Sequence, residues 1–285
     1  MLPYLTQAHA PLTCEVSAVN EFGEPISVSI PAERALTVYV DKRELVTLMT
    51  LGAHPELLVL GYLRNQRLVK SIEEIESITV DWDVGAAAVK TRHGITNIEE
   101  KTSKRVVTTG CGQGSVFGGL MDEVDQIRLP PDACITQSQL YALVNTIRLK
   151  ETTYKSAGSV HACALFAATG NDPEMLIFVE DVGRHNAIDT IAGWMSMQTT
   201  QPANRVFYTT GRLTSEMVIK SAQMGVPVVV SRSGITQMGH QVAQSVGLCA
   251  IGRATNKRFV CYTSTQRLVL EPGLAGIKPE VVKAA

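Results

Sequence analysis

The chain has little of several features that would point directly to a class of protein. Its 26 basic and 27 acidic residues give a formal net charge of −1, which offers no electrostatic footprint for nucleic acid or an anionic membrane. No apolar run approaches the roughly 18 residues of a membrane-spanning helix. The amino-terminal sequence MLPYLTQAHAPL lacks the basic and apolar regions of a secretory signal. We therefore expect a cytoplasmic protein with neither a nucleic-acid nor a membrane partner.

Paired cysteines are also missing. None of the six cysteines belongs to a C-x-x-C pair, and their spacing fits no zinc motif. In a chain without a signal sequence, we expect most of them to be reduced and to pack as small buried side chains. The six are Cys14, Cys111, Cys134, Cys163, Cys249 and Cys261.

What is present indicates a folded α/β protein. Hydrophobic residues make up 45% of the chain and charged residues 19%, which supports a core and argues against disorder. Residues 1–106 contain short segments of strand length and one stretch of helical spacing near residues 54–69, so they predict a smaller β-rich subdomain. Residues 107–285 alternate continuous apolar strands with amphipathic helices, which predicts a layered domain around a mixed, mainly parallel sheet.

Arginines follow the predicted strands of the second part. Arg184, Arg212, Arg232 and Arg253 each come shortly after an apolar strand, and Ser233 follows the third of them. Ligands of open α/β sheets bind outside the carboxyl ends of the strands, where guanidinium forks and helix N-termini suit phosphate. These side chains could instead be solvated or paired with acidic neighbours. The functional interpretation is a pocket for a polyphosphate or nucleotide-like ligand.

One cysteine stands among glycines. Cys111 lies in the segment TTGCGQGS (108–115), where three glycines leave the backbone uncrowded and the thiol accessible. The segment could be a glycine turn that happens to contain a cysteine. Alternatively, Cys111 is a nucleophile or a sulfur carrier, whose reactive form is the thiolate.

Two histidines are candidate functional residues. We interpret His161 as part of a small-residue helix, with Cys163 two residues later raising the question of a metal. The zinc deaminases need H-x-E and P-C-x-x-C, and Cys163 stands where the glutamate would be, so we expect no zinc. His185 and Asp189 are spaced i, i+4, which fits either an oriented imidazole facing the pocket or a pair on a helix surface.

Together these motifs resemble the FdhD/NarQ family of formate dehydrogenase accessory sulfurtransferases. The resemblance is specific from about residue 105 to 265 and looser before that. It rests on the segments GSVHACA (158–164), EDVGRHN (180–186), TSEMVIK (214–220), VPVVVSRS (226–233) and RFVCYT (258–263).

The resemblance implies a function and a site. Members accept sulfur as a persulfide from a cysteine desulfurase and pass it to the molybdenum or tungsten bis(molybdopterin guanine dinucleotide) cofactor, which is then inserted into the formate dehydrogenase catalytic subunit. It also implies a cytoplasmic homodimer with a cytidine deaminase-like domain, without zinc, and a persulfide on Cys111. A guanine nucleotide such as GDP would act as an analogue of the cofactor. The expected cofactor-binding residues are His161, Arg184, His185, Arg212, Arg232, Ser233, Arg253, Ala254, Thr255, Asn256, Lys257 and Arg258.

The chain also departs from the family pattern. Many members carry C-G-x-C in the cysteine loop, whereas this chain has Cys111-Gly112-Gln113-Gly114, so a relay between two thiols of that loop is in doubt. Two other hypotheses remain open. The chain could be a chaperone that binds and delivers the guanine dinucleotide cofactor without covalent chemistry, or a nucleobase or nucleotide deaminase, for which stoichiometric zinc would be the evidence.

Overall fold

The computed structural model describes residues 2–95, 126–150, 152–200, 202 and 204–274. The strands are β1 (Tyr4–Leu5), β2 (Thr13–Val19), β3 (Pro25–Pro31), β4 (Arg34–Val40), β5 (Arg43–Thr50), β6 (Ile75–Asp81), β7 (Ala86–Thr91), β8 (Ile135–Thr136), β9 (His161–Ala167), β10 (Glu174–Asp181), β11 (Arg205–Thr209), β12 (Val228–Ser231), β13 (Cys249–Thr255), β14 (Arg258–Cys261) and β15 (Leu268–Val269). The α-helices are α1 (Pro55–Asn65), α2 (Gln137–Leu149), α3 (Thr153–Ala157), α4 (Arg184–Met197), α5 (Ser215–Gln223) and α6 (Gln237–Val246). None of the helices in these ranges combines the length and apolar character needed to cross a membrane.

The amino-terminal part is built on a five-stranded sheet in the order β1-β6-β7-β4-β5. Helix α1 begins with a proline at its first position, where no backbone donor is needed, and its apolar residues pack on this sheet. Strands β2 and β3 form a separate two-stranded ribbon. The β-rich character predicted for this part is therefore confirmed, and β5 is a strand that the sequence analysis did not predict.

The second part is built on a six-stranded sheet in the order β10-β9-β11-β12-β13-β14. Helices α4, α5 and α6 cover one face, with side chains such as Ile188, Val218 and Val242 in the core. Helix α2 covers the other face through Leu140 and Leu143. A capping box closes the start of α2, because the Thr136 side chain accepts from the Gln139 amide and the Gln139 side chain accepts from the Thr136 amide. Mixed α/β layering is confirmed.

The pairing within this sheet corrects one expectation. Strands β11, β12 and β13 pair in parallel, but β9 runs antiparallel to both β10 and β11, and β14 runs antiparallel to β13. Two of the five neighbouring pairs are thus parallel, so the sheet is mixed but not mainly parallel. The difference arises at β9, an interior strand that begins at His161, whereas the sequence analysis interpreted His161 as part of a small-residue helix. A continuous apolar run does not distinguish a buried strand from a helix.

The two parts meet along helices α1 and α4, which cross with almost no space between their backbones. A Cβ atom placed on Gly61 would lie 1.6 Å from the Asp189 carbonyl oxygen, and one on Gly193 would lie 2.0 Å from the Leu57 carbonyl oxygen. Only glycine permits this approach at either position.

Candidate functional site

The reversed direction of β9 brings its first residue to the edge where its neighbours end. His161 is the register partner of Asp181, the last residue of β10, and Thr210 just beyond β11 donates from its hydroxyl to the Ala162 carbonyl oxygen over 3.4 Å. The strands β10, β11, β12 and β13 all finish at this same edge. It is the place where an open α/β sheet binds its ligands.

An open cavity of about 650 Å³ lies at this edge. Its inner wall is largely apolar and aromatic, and it extends over the face of the sheet that α2 covers. This wall consists of Val144, Ile147, Val160, Ala162, Phe178, Tyr208 and Ala254. The Lys150 ammonium group stands 5.1 Å from the centre of the Phe178 ring, so a cation faces the aromatic part of the wall.

The remaining wall is polar and includes cationic side chains. It consists of Arg148, Lys150, Thr152, Tyr154, Lys155, His161, Glu180, Thr210, Arg232, Ser233, Thr255 and Asn256. Glu180 accepts the backbone amides of Thr153 and Tyr154 over 2.7 and 3.2 Å, which ties the short helix α3 to β10 at the cavity mouth. The cavity therefore combines apolar and aromatic side chains with polar and cationic ones.

Hydrogen bonds between loops shape the polar side of the cavity. The Ser231 hydroxyl donates to the Gly211 carbonyl oxygen over 2.7 Å and accepts from the Ser233 amide over 2.9 Å. The Ser233 hydroxyl donates to the Thr210 carbonyl oxygen over 2.9 Å, and its own carbonyl oxygen accepts from the Arg253 amide over 2.7 Å. These bonds link the loops that follow β11 and β12 to the bulged end of β13.

His161 is placed between the cavity and two arginines. Burial lowers its pKa, and the charges of Arg184 and Arg212 lower it further, so its imidazole is neutral at pH 7. Its Nδ1 atom lies 3.4 Å from the Thr210 hydroxyl. The Arg184 side chain lies over Gly211, where an added Cβ would be 2.6 Å from its Cδ atom. This part of the edge is positively charged without His161 being protonated.

The structure brings together six of the twelve predicted cofactor-binding residues along the cavity wall. They are His161, Arg232, Ser233, Ala254, Thr255 and Asn256. Arg184 and Arg212 lie close to His161 but outside the wall, and Arg253, Lys257 and Arg258 are exposed around the β13–β14 turn. Arg253 adopts the left-handed region, with φ of 53°, inside the bulged end of β13 rather than after the strand.

His185 and Asp189 correspond to neither arrangement considered for them. Both are buried, at 6% and 2% exposure, so they are not a helix-surface pair, and neither lines the cavity. Asp189 binds the Lys220 ammonium at 2.9 Å and accepts from the Asn65 side chain at 2.6 Å. His185 Nδ1 lies 3.5 Å from a Glu216 carboxylate oxygen. Burial, helped by the charges of Lys220 and Arg184, lowers the pKa of His185 to about 2.

Cys163 is a core residue. Its side chain is fully buried, its thiol donates to the Thr209 hydroxyl over 3.4 Å, and burial raises its pKa to about 12. A thiol held protonated in this way is a poor nucleophile and a poor metal ligand. Within the described ranges, no three His, Cys, Asp or Glu side chains come close enough together to hold a metal ion.

Comparison with known proteins identifies the family. The FdhD/NarQ family model matches residues 31–269, which is most of the chain.

The chain belongs to the FdhD/NarQ family.

Individual relatives agree with this membership. The sulfur carrier protein FdhD of Bacillus subtilis (strain 168) is 31% identical over 242 residues, which cover 83% of this chain and 88% of that protein. The sulfur carrier protein FdhD of Wolinella succinogenes is 26% identical over 238 residues, covering 84% of this chain and 82% of that one. A crystal structure from Desulfotalea psychrophila, assigned as a formate dehydrogenase accessory protein, superposes with a TM-score of 0.71 at 22% identity, over 91% of this chain and all of that one. This last likeness concerns the fold.

The sulfur site that the sequence analysis predicted is not among the residues that the structure describes. Cys111 and the whole glycine loop 108–115 lie outside the described residues. The site described above therefore does not include this thiol.

The sequence analysis missed the aromatic wall of the cavity. Tyr208 and Phe178 belong to strands that read as uniformly apolar, so they looked like ordinary core residues. A signal was present, because Tyr208 and Thr210 alternate onto one face just before the Gly211-Arg212 pair.

Proposed function

We propose that this member of the FdhD/NarQ family is a sulfur carrier in the maturation of formate dehydrogenase. It accepts sulfur from a cysteine desulfurase as a persulfide on Cys111. It then passes that sulfur to the molybdenum or tungsten bis(molybdopterin guanine dinucleotide) cofactor, before insertion into the dehydrogenase catalytic subunit. The observation that carries this proposal is the cavity at the strand edge, since its shape and charge suit one guanine nucleotide of such a cofactor.

The fit to a nucleoside diphosphate follows from the two kinds of wall. A volume of about 650 Å³ lies within the range of cavities that enclose a small ligand. The rings of Phe178 and Tyr208 on the apolar side offer surfaces on which a planar base can stack. Arg232 supplies a guanidinium fork, and Arg148 and Lys155 supply further cationic groups, for an anionic diphosphate.

The roles of the protein groups in transfer are exchange and positioning. The Cys111 thiolate attacks the outer sulfur of the desulfurase persulfide, and the desulfurase thiolate leaves, so that Cys111 carries the persulfide. Arg184 and Arg212, beside the neutral His161, favour an anion at the strand edge. Holding the cofactor by its nucleotide places the acceptor for the sulfur, and positioning accounts for most of the rate enhancement.

A second function is favoured by one observation. The cationic groups of the cavity wall would hold the nucleotide equally well without any transfer of sulfur. The alternative is therefore a chaperone that binds the guanine dinucleotide cofactor and delivers it without forming a covalent bond to sulfur.

One experiment separates the two functions. The full-length protein is incubated with a cysteine desulfurase and cysteine, and intact mass and GDP affinity are measured on the same sample. A sulfur carrier gains about 32 Da, the gain disappears in Cys111→Ala, and GDP affinity is unchanged by that substitution. Cys14→Ala is the matched control, because Cys14 is also an accessible thiol. GDP binding without any gain on Cys111 would support the chaperone, and absence of GDP binding would contradict both.

The finer architecture is also a proposal. We propose a β-rich subdomain over residues 1–106 and a cytidine deaminase-like domain over residues 107–285, the latter without zinc. We further propose a cytoplasmic homodimer. Size-exclusion chromatography with light scattering tests the dimer, and metal analysis of the purified protein tests for zinc, whose presence in stoichiometric amount would revive the deaminase hypothesis.

A further inference from the structure

Two thiols of the second sheet lie side by side, away from the cysteine loop. Cys249 begins β13 and Cys261 ends β14, and their Sγ atoms are 3.7 Å apart. Both are free thiols. The sequence analysis treated both as buried apolar residues, and only Cys249 is fully buried, while Cys261 is partly exposed to solvent.

The strand pairing places the two side chains on one face of the sheet. Cys261 pairs with Ile251, so Cys249 is its diagonal neighbour two residues along β13. A disulfide requires about 2.05 Å between the sulfur atoms, so they must approach each other by roughly 1.7 Å. Strand β14 is the last strand of the described sheet and pairs with β13 across an irregular register between Gly252 and Thr255. An edge strand with one neighbour can make this shift more easily than a central strand.

The surroundings assign different roles to the two sulfur atoms. The hydrogen bond from the Cys249 thiol lowers the pKa of Cys261, whereas the same bond and burial raise the pKa of Cys249. Cys261 is therefore both the more acidic and the more accessible thiol, as an attacking thiol should be. Arg267, whose guanidinium is buried nearby, favours the negative charge that Cys249 must take when it reacts in turn.

We propose that Cys249 and Cys261 form an oxidative modification site that reacts with low-molecular-weight disulfides such as glutathione disulfide. The Cys261 thiolate attacks one sulfur of glutathione disulfide, and a glutathione thiolate leaves. Cys249 then loses its proton and attacks the Cys261 sulfur, so the second glutathione leaves as a thiol and the Cys249–Cys261 disulfide forms. The two protein thiols are oxidised, and glutathione disulfide is reduced to two glutathione molecules.

The test is incubation of the full-length protein with glutathione disulfide, followed by alkylation of free thiols and peptide mapping. We expect a cross-linked peptide pair containing Cys249 and Cys261, with about 2 Da lost relative to the two free peptides. Cys249→Ala should leave a mixed disulfide on Cys261, adding about 305 Da, because no second thiol displaces the glutathione. Cys261→Ser should leave Cys249 reduced.

Exposed Cys14 serves as the internal control, because no thiol of the described residues is bonded to it and it should form only the mixed disulfide. The proposal is overturned if Cys14 reacts while Cys249 and Cys261 both remain alkylatable in the folded wild-type protein. It is also overturned if Cys261→Ser still takes glutathione on Cys249, because the attacking thiol would then be the wrong one. Cys111 has no part in either outcome, so the result is independent of the proposed sulfur transfer.

Discussion

Removal of a single oxygen atom, in Tyr208→Phe, tests the cavity as a nucleotide site. Tyr208 is 3% exposed, lines the cavity, and is held in the sheet by its strand neighbours on β9 and β12. Among the described residues, nothing forms a hydrogen bond with its hydroxyl group. Burial raises its pKa to about 12, so the hydroxyl is neutral at pH 7. Because Tyr208 lines the cavity, a ligand bound there would supply a hydrogen-bond partner for this hydroxyl group.

The size of the effect follows from one hydrogen bond. A neutral bond contributes about 0.5–1.5 kcal/mol, so Tyr208→Phe should weaken GDP binding roughly two- to tenfold. The free energy of unfolding in the absence of ligand should change by less than about 0.5 kcal/mol, because the hydroxyl has no bond in the protein to lose. Isothermal titration with GDP and urea denaturation measure the two quantities.

The matched control is Tyr39→Phe, which removes the same oxygen from the amino-terminal sheet, away from the cavity. It should leave GDP affinity unchanged. Unaltered GDP affinity in Tyr208→Phe, in a protein that still binds GDP, would refute the placement of the ligand against this wall. A loss of stability without a loss of affinity would show that the hydroxyl has a structural partner instead.

Three further predictions concern the buried contacts behind the site. Gly61→Ala should lower the free energy of unfolding by about 3 kcal/mol, because the added methyl group would collide with the Asp189 carbonyl oxygen. Its control is Gly170→Ala, where the added methyl group meets open space and the free energy of unfolding should change by less than about 0.5 kcal/mol. Lys220→Met should lower it by about 3 kcal/mol in urea titrations, because two buried carboxylates lose their cation, and a change below about 1 kcal/mol would contradict the ion network. His185 stays neutral in the folded protein, because its pKa there is lowered to about 2. In the unfolded chain the same side chain takes up a proton once the pH falls below the ordinary histidine pKa. The free energy of unfolding should therefore fall by about 2 kcal/mol between pH 7 and pH 5. Plots of that free energy against pH for the wild-type protein and for His185→Gln should differ by this amount over the same interval. Parallel plots would show that His185 is protonated in the folded state.

The sequence predicted most elements of the second part because their patterns are local. Helix α2 is indicated by the i, i+3, i+4, i+7 spacing of its apolar residues Leu140, Leu143, Val144 and Ile147. Helix α6 is indicated by its periodicity and by the closing Gly247, which adopts the left-handed region with φ of 68°. Strand β9 was not predicted, because it is buried on both faces and its sequence does not alternate between apolar and polar residues. With β9 missing, its antiparallel direction and the position of His161 at the strand edge could not be derived.

Strand β5 was missed for a different reason. The hairpin that joins it to β4 turns at Asp41 and Lys42, both with positive φ, at 48° and 73°. Two-residue hairpin turns of this kind usually contain asparagine or glycine, so the pair Asp-Lys gave no turn signal. The arginines at the strand ends were found because they follow recognisable strands, but which of them reach the cavity depends on loop paths that no local pattern encodes.

The glycine crossing of α1 and α4 has a consequence for how freely the two parts of the chain can move relative to each other. Asp181, just before α4, accepts hydrogen bonds from the Thr50 hydroxyl and the Leu51 amide at the end of β5, so the same helix is held to the amino-terminal sheet at its start as well as along its length. Arg184 leaves from that start. Any tilt of α1 relative to the second sheet would therefore move this guanidinium group as well, so the position of the amino-terminal part and that of the anion-binding edge are linked.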